Sequence, residues 1–197
     1  MIVYFRQCLE SNELGKLVMG ILACTGLRMV EAVCRAEIDA PTLTHETDGV
    51  YWAFVKGVCK KQKNLFSGHE RPLLGRRNVV QAAIARLRKN HFADLQKCTD
   101  NTIVSRKACT KINRSIRKCW PYPEVKRVTS HFFRSFYVAC TFHYFNRNSS
   151  ISMWASDVLC HESISTSFAY TGLLITGFDT LCFDLDRQLR EMAKLSM

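Results

Sequence analysis

Residues 25–31 have the sequence TGLRMVE, in which a glycine turn is followed at once by an arginine and, three positions later, by a glutamate. Apolar residues recur at helical spacing over residues 11–24, which predicts a helix before this turn with Ser11 or Asn12 as its N-cap. The glycine ends that helix. A second short helix is predicted over residues 28–35, so the turn places an arginine at the start of a helix.

The rest of the chain is predicted to be helical apart from one hairpin. The alternating sequence VYWAFVKGVCK predicts a strand over residues 50–60. A polar turn at 60–64 and a short returning strand at 71–74 follow. Asn78 is the expected N-cap of the next helix, and Thr129 or Ser130 that of a nearly all-apolar one. The later helices are expected over residues 79–92, 105–120, 130–145, about 152–160, about 165–171 and 183–195. The expected fold is mainly α with a small antiparallel β-hairpin or sheet (α+β).

The net charge of +11 is gathered in two blocks of the sequence. Residues 56–90 carry ten Lys/Arg and one acidic residue, and residues 101–134 carry nine and one. A solvated basic surface would explain the total charge equally well, but charge gathered in blocks favours a basic face for nucleic-acid phosphates. The residues expected to contact nucleic acid are Lys61, Lys63, Arg76, Arg77, Lys107, Lys111, Arg114 and Lys118.

The ten cysteines do not form a metal or disulfide pattern in the sequence. They lie ten or more residues apart, so no CxxC pair is present and no local zinc signature exists. The first residues lack the basic and apolar regions of a signal peptide, and no apolar run approaches the ~18 residues of a membrane span. We therefore expect an intracellular protein with reduced, mostly buried cysteines, no metal site and no membrane association.

Three further motifs follow the TGLR turn in order along the chain. They are the lysine-rich turn at 60–63, the sequence HFFR beginning at His131, and Leu159-Cys160-His161 with Tyr170 nine residues later. Each has an ordinary structural explanation by itself. An arginine beside a glutamate forms a surface ion pair, a histidine near a helix start acts as a cap, and a lone tyrosine is usually a core aromatic with a hydrogen-bonded hydroxyl.

Together and in this order, the motifs resemble the catalytic signature of the tyrosine recombinase (phage integrase) superfamily. That signature is TGLR-x-x-E, a hairpin lysine, H-x-x-R and LGH with a tyrosine nine positions on. The resemblance covers about residues 11–175. Within the superfamily, RPLLGRRNVVQAAIARLRK, KINRSIRKCW and FFRSFYVACTFHYF are most similar to telomere resolvases (protelomerases), which make hairpin ends from a palindromic site.

The resemblance implies DNA strand cleavage and rejoining through a 3′-phosphotyrosine, with no metal or cofactor. It assigns Tyr170 as nucleophile. Arg28 and Arg134 would stabilise the charge on the non-bridging phosphate oxygens, and His161 would donate to the same phosphate. His131 would support a non-bridging oxygen or help to deprotonate the tyrosine. The general acid would be Lys60, with Lys61 and Lys63 as alternatives, and Glu31 would orient an arginine.

The partner implied is double-stranded DNA, bound by a dimer or tetramer inside the cell. The chain is expected to form a single domain over residues 1–197, with a C-terminal helix and without the N-terminal domain that clasps DNA in such enzymes. Cys160 replaces the glycine of LGH and is expected to perturb the turn slightly. The alternative is a catalytically inactive DNA-binding protein that keeps the recombinase fold.

Overall fold

The structure is a computed structural model that describes residues 1–41, 52–57, 68–122, 128–145 and 150–160. Several sequence predictions fall outside these residues: the hairpin lysines, His161, Tyr170 and the helices at 165–171 and 183–195. The six described α-helices are α1 (Ile2–Cys8), α2 (Leu14–Thr25), α3 (Arg77–His91), α4 (Asn101–Cys119), α5 (Ser130–Phe145) and α6 (Ile151–Leu159).

The described strands form a small antiparallel sheet in the order β1 (Glu37–Asp39), β2 (Trp52–Lys56) and β3 (Gly68–Pro72). Trp52 pairs with Pro72 and Lys56 with Gly68, so β2 and β3 form the predicted hairpin ladder. Burial alternates along β2, as expected for a strand with one face against the core. A π-helical turn (Glu31–Arg35) and a 3-10 turn (Ala93–Leu95) complete the described elements. The mainly α, α+β prediction is confirmed.

Helix α2 is the centre of the core, because nearly all of its residues are buried. Helices α1, α3, α4 and α5 all pack against it. Gly20 lets α1 approach closely: a Cβ atom there would lie 2.8 Å from the backbone of Phe5 and of Leu9. Each large apolar side chain buried in such a core contributes about 1.5–3 kcal/mol. None of the described helices is long and apolar enough to cross a membrane.

The structure corrects several predicted helix starts. Glu13, not Ser11 or Asn12, is the N-cap of α2, because the Ser11 hydroxyl accepts a hydrogen bond from the Glu13 backbone N–H and forms a turn before the helix. Asn78 lies inside α3, whose N-cap is Arg76. Helix α4 begins four residues earlier than predicted.

The N-cap of α4 is Asp100, whose carboxylate accepts hydrogen bonds from the backbone N–H groups of Thr102 and Ile103. Helix α5 has the predicted bounds. Helix α1 and strand β1 were not predicted.

Candidate active site

Arg28 follows the glycine turn directly and is held by a buried glutamate. Gly26 has the left-handed φ of 64° that ends α2, and two residues later the chain enters the turn that carries Glu31. Glu31 is fully buried and forms an ion pair of 2.8 Å with Arg28, whose side chain is 25% exposed. The same carboxylate also accepts the Arg28 backbone N–H at 2.7 Å. Arg28 is therefore fixed at its guanidinium while a quarter of its side chain remains exposed.

Arg134 reaches the same carboxylate from α5. Its Nη1 lies 4.0 Å from Glu31 Oε2, and its side chain is 4% exposed. The guanidinium also donates hydrogen bonds to the carbonyl oxygens of Gly26 and Leu159, which belong to the ends of α2 and α6. Carbonyls at helix ends lack partners within their own helix, so they are ready acceptors for a cation. The structure thus places Arg28, Glu31 and Arg134 together.

His131 lies one helical turn before Arg134 and has an exposed side chain. Although the residue is exposed, neighbouring protein atoms displace part of the water around the imidazole and so lower the pKa of His131, and the positive charges of Arg134 and Arg28 lower it further. The imidazole is therefore neutral near pH 7 and can either accept a proton or donate one hydrogen bond. That state fits both of the roles expected for His131.

Cys160 adopts the conformation that a glycine would have in the LGH motif. Its φ of 51° and ψ of 57° are left-handed, and its backbone N–H bonds back to the carbonyls of Asp157 and Ser156, which caps α6. Burial raises the pKa of the Cys160 thiol, and the charges of Glu31 and of the nearby arginines act on it. The end of α6 therefore lies beside Arg28 and Arg134, which together form what we call the arginine cluster.

Sequence reasoning missed three residues that support this site. Arg71 on β3 is fully buried, and its Nη1 donates to the Thr25 carbonyl at 3.1 Å. His69, two residues earlier, accepts a hydrogen bond from Arg71 Nε at 2.9 Å. Arg88 on α3 donates to the carbonyls of Glu31, Ala32 and Ala36, so it holds the turn that carries Glu31.

The sequence offered one weak signal for these residues, since His69 and Arg71 alternate along a strand and so share one face. Their burial could not be deduced from that alternation, because histidine and arginine on one strand face usually indicate a solvent-exposed side.

The basic residues near the N-terminus of α3 lie at the same end of the core as the arginine cluster. Leu74 donates its backbone N–H to the carbonyl of Cys24, the residue before Thr25. Arg76 is exposed, and Arg77 is half-buried with a hydrogen bond of 3.3 Å to the Trp52 carbonyl. Lys61 and Lys63, which were also predicted to contact nucleic acid, lie outside the described residues.

The four predicted cations of α4, Lys107, Lys111, Arg114 and Lys118, are all exposed and share one flank of the helix. Lys111 Nζ donates to the His91 carbonyl at 3.1 Å and lies over the Phe92 ring, so this flank faces the end of α3.

The opposite flank of α4 faces α5, because Asn113 Oδ1 accepts the Ser130 backbone N–H at 3.3 Å. Asn113 lies ~130° around the helix from the lysine flank. Arg106 and Arg117 are exposed on the side of Asn113. The lysine flank and the arginine cluster are thus separate features of the molecule.

The eight cysteines in the described part of the chain are free thiols, four buried and four half-buried. Within the same residues, no three His, Cys, Asp or Glu side chains are grouped as metal ligands would be.

Comparison with protein families gives one match of high coverage. The family described as "Telomere resolvase ResT/TelK catalytic domain" matches residues 1–172. No protein with a curated description matches the chain.

Solved structures of protelomerases are similar in fold. A complex described as protelomerase TelA covalently complexed with substrate DNA has a TM-score of 0.69 at 21% identity, covering 86% of this chain and 56% of that one. A variant of TelA in a covalent complex with substrate DNA has a TM-score of 0.73 at 20% identity with the same coverage. Protelomerase TelK with substrate DNA has a TM-score of 0.64 at 16% identity. The chain spans about half the length of the TelA chains and 32% of the TelK chain.

Proposed function

The chain belongs to the telomere resolvase ResT/TelK catalytic-domain family, and we propose that it cleaves and rejoins DNA strands by transesterification. Tyr170 attacks a phosphodiester, which forms a 3′-phosphotyrosine and releases a 5′-hydroxyl. The reverse attack by a 5′-hydroxyl restores the DNA strand and frees the tyrosine. The covalent link conserves the phosphodiester bond energy, so the strand can be rejoined without ATP.

The observation that carries this proposal is the sharing of one buried carboxylate by two arginines from distant parts of the sequence. Arg28 pairs with Glu31 at 2.8 Å, and Arg134 approaches it at 4.0 Å. Two guanidinium charges therefore meet one carboxylate, so the group keeps an excess of positive charge. Fixed cations of this kind stabilise the negative charge that builds on the non-bridging oxygens of a pentavalent phosphorus.

The remaining roles concern proton transfer. A free tyrosine has a pKa near ~10, so Tyr170 needs a cationic setting or a base to attack. Neutral His131 can take that proton or donate to a non-bridging oxygen, and His161 donates to the same phosphate. Lys60 protonates the departing 5′-oxygen, with Lys61 and Lys63 as the alternatives.

Double-stranded DNA is the proposed partner, bound through its phosphates, and the chain would act as a dimer or tetramer in the compartment that holds its DNA. Arg76 and Arg77 lie at the end of the core that carries the arginine cluster, which supports a role for them in contacting DNA beside the cleaved bond. The exposed flank of α4 would extend the contact away from the site.

Substitution of the nucleophile tests the reaction directly. The chain is mixed with a library of phosphate-labelled inverted-repeat duplexes, nicked so that cleavage traps the covalent species, and adducts are separated under denaturing conditions. We expect an adduct with the wild-type chain and none with Tyr170→Phe, while DNA binding stays unchanged. Tyr122→Phe, which alters a half-buried tyrosine elsewhere, is the matched control and should form the adduct at the wild-type rate.

Two outcomes would contradict the proposal. Adduct formation by Tyr170→Phe at the wild-type rate would rule out that tyrosine as nucleophile. DNA binding by the wild-type chain without any adduct would favour the alternative, an inactive DNA-binding protein with the recombinase fold.

The general acid is identified by a second experiment, in which sulfur replaces the 5′-bridging oxygen. Replacing the lysine that acts as the acid with alanine should slow cleavage by ~10²–10⁴. The sulfur substrate should restore that rate, because a thiolate leaves without a proton. Arg28→Ala and Arg134→Ala should not be rescued, since they act on the non-bridging oxygens. Rescue of Lys60→Ala alone is the expected result, and rescue of no lysine variant would exclude the hairpin lysines.

A further inference from the structure

Strand β3 carries a buried cation that is not itself part of any motif of the family signature. Arg71 is fully buried, and its guanidinium donates to the Thr25 carbonyl at 3.1 Å. Its Nε and Nη2 lie 2.9 and 2.6 Å from Nε2 of His69. Among the described residues, no carboxylate lies within ion-pair distance of Arg71. Burying a cation against neutral acceptors is unfavourable compared with packing an apolar side chain there, so stability alone does not explain this arginine.

The contact with Arg71 determines which ring nitrogen of His69 carries the proton. An arginine guanidinium is always a donor, so Nε2 of His69 must be the acceptor and the proton must lie on Nδ1. Nε2 also lies 3.3 Å from the Val158 carbonyl, but two acceptors cannot share a hydrogen bond. Arg71 therefore sets the orientation of the ring, which lies beside the Val158 carbonyl of α6 without a hydrogen bond to it. Nδ1 is buried and has no hydrogen-bond partner among the described residues.

Both ends of this pair meet segments that lead into the arginine cluster. Thr25 is the last residue of α2 before the Gly26 turn and Arg28. Val158 lies two residues before Cys160, which caps α6. Arg134 donates to the carbonyls of Gly26 and Leu159, which follow Thr25 and Val158 in the sequence. Arg134 thus joins the end of α2 directly to the end of α6, and Arg71 joins the end of α2 to the His69 ring, which lies beside Val158 of α6.

We propose that Arg71 and His69 are positioning residues that fix the end of α2, and with it Arg28, relative to the end of α6. This inference rests on the proposed cleavage reaction, because its consequence is the alignment of Arg28 with the groups that follow α6. Arg71 has no exposed surface and acts through the Thr25 carbonyl and the His69 ring, so it does not touch DNA. Loss of the pair should slow the chemical step and leave DNA affinity unchanged.

The test uses Arg71→Met, which keeps an unbranched side chain of similar length without the donors. At saturating DNA, the rate of adduct formation should fall by ~10- to 100-fold, the cost of small misplacements in an active site. The Kd for DNA should stay at the wild-type value. Arg86→Met is the matched control, because Arg86 is a half-buried arginine that also donates to backbone carbonyls, those of Leu9 and Ser11. It should keep both the rate and the affinity.

The ring tautomer gives a readout that a merely structural role would not change. Nitrogen NMR of the imidazole at pH 7 should show the proton of His69 on Nδ1 in the wild-type chain. In Arg71→Met the proton should move to Nε2, which can then donate to the Val158 carbonyl. A wild-type ring protonated on Nε2 would overturn the inference.

Variants at position 69 keep the test decisive if Arg71→Met does not fold. His69→Gln offers an amide oxygen as acceptor for Arg71 and should form the adduct at the wild-type rate. His69→Leu offers no acceptor, and its rate of adduct formation should fall by ~10- to 100-fold, as for Arg71→Met. Equal rates for Arg71→Met and the wild-type chain, or for His69→Leu and His69→Gln, would overturn the inference. Absence of any adduct from the wild-type chain would instead overturn the proposed function, and the tautomer would still decide whether Arg71 holds the ring.

Discussion

Single residues in this chain have conformations or protonation states that only their surroundings explain. Cys160 adopts a left-handed backbone conformation with its thiol buried beside charged groups. His69 remains neutral because burial, and then the charge of Arg71, lower the pKa of its imidazole to about 3. Both residues lie where the ends of α6 and α2 approach each other. The backbone strain at Cys160 and the burial of the His69 ring therefore accompany the geometry of the candidate site.

The left-handed conformation of Cys160 can be tested with a pair of substitutions. Cys160→Gly should change the free energy of unfolding by less than about 1 kcal/mol, because relief of the left-handed strain offsets the loss of a buried thiol. Cys160→Val should lower it by about 2 kcal/mol or more, since a β-branched residue is poorly tolerated in that region. Urea unfolding followed by circular dichroism measures both.

The control is Cys140→Val, which makes the same change at a buried position in α5 with an ordinary helical backbone. A Cys160→Val variant no less stable than this control would show that the backbone conformation is not the cause.

The lowered pKa of His69 predicts a loss of stability in acid. The folded-state pKa of about 3 lies below the usual value of 6.5, so the unfolded chain takes up a proton on His69 more readily than the folded chain. The contribution of this group to the free energy of unfolding is therefore complete above pH 6.5 and decreases as the pH falls toward 3. Between pH 7 and pH 5 the wild-type chain should lose about 1–2 kcal/mol of unfolding free energy through this group. His69→Gln should remove that part of the pH dependence. Identical pH dependence in the two proteins would show that His69 is not buried in a neutral state.

At the scale of elements, the molecule depends on close approaches at the ends of its helices. The Gly26 turn lies against the ring of Tyr137 on α5, whose hydroxyl donates to the Pro72 carbonyl at 2.7 Å. One buried tyrosine therefore contacts the α2 turn and the end of β3. The position of the turn, and so of Arg28, depends on how α5 packs.

This dependence predicts that Gly26→Ala is strongly destabilising. A Cβ atom at Gly26 would lie 2.3 Å from Tyr137 Cδ1, and the φ of 64° is unfavourable for alanine. The expected loss is about 3 kcal/mol of unfolding free energy, the sum of backbone strain and overpacking. Gly75→Ala is the control, because its closest contact is the flexible end of Leu9 at 3.0 Å. Thermal or urea unfolding should separate the two clearly, and a Gly26→Ala protein as stable as Gly75→Ala would contradict the packing described.

At the scale of the whole molecule, the positive charges of the described residues occur both in the interior and on the surface. The arginine cluster at the helix ends is buried or half-buried, whereas the cations of α4 are exposed. Buried cations are positioned for one phosphate, and exposed ones act on many phosphates at longer range. Cleavage and general DNA affinity should therefore respond to different substitutions.

The salt dependence of DNA affinity measures the contribution of the exposed cations. DNA affinity of the chain should fall steeply as salt rises, with little sequence preference. Neutralising Lys107, Arg114 and Lys118 to Gln should reduce the slope of log affinity against log salt by about one for each DNA phosphate that the variant no longer neutralises. Lys16→Gln is the control, because this half-buried lysine pairs with Glu13 at 2.9 Å outside the basic blocks. A slope unchanged in the triple variant would place the DNA elsewhere, with the Arg106 and Arg117 side of α4 to be tested next.

The sequence determined the types of most elements and supplied the candidates for the chemistry-bearing residues, because both rest on local patterns. The 3.6-residue period of α5 and the alternation of β2 are visible in a short window, and the glycine turn before Arg28 is a fixed motif. Helix α1 was missed because its sequence, IVYFRQC, consists largely of residues that favour strands, and its helical form depends on packing against α2. Propensity over seven residues is too weak to oppose such packing.

Only the tertiary structure decided how these residues act together. Glu31 could be expected to orient one arginine, but its approach to Arg134 joins positions more than a hundred residues apart. The burial of Arg71 reverses what its residue type suggests, and the division of α4 into two flanks depends on which neighbours cover them. Sequence patterns report which face of an element is apolar. Which charged groups meet in the interior depends on how the elements pack, and that information is not contained in any local stretch.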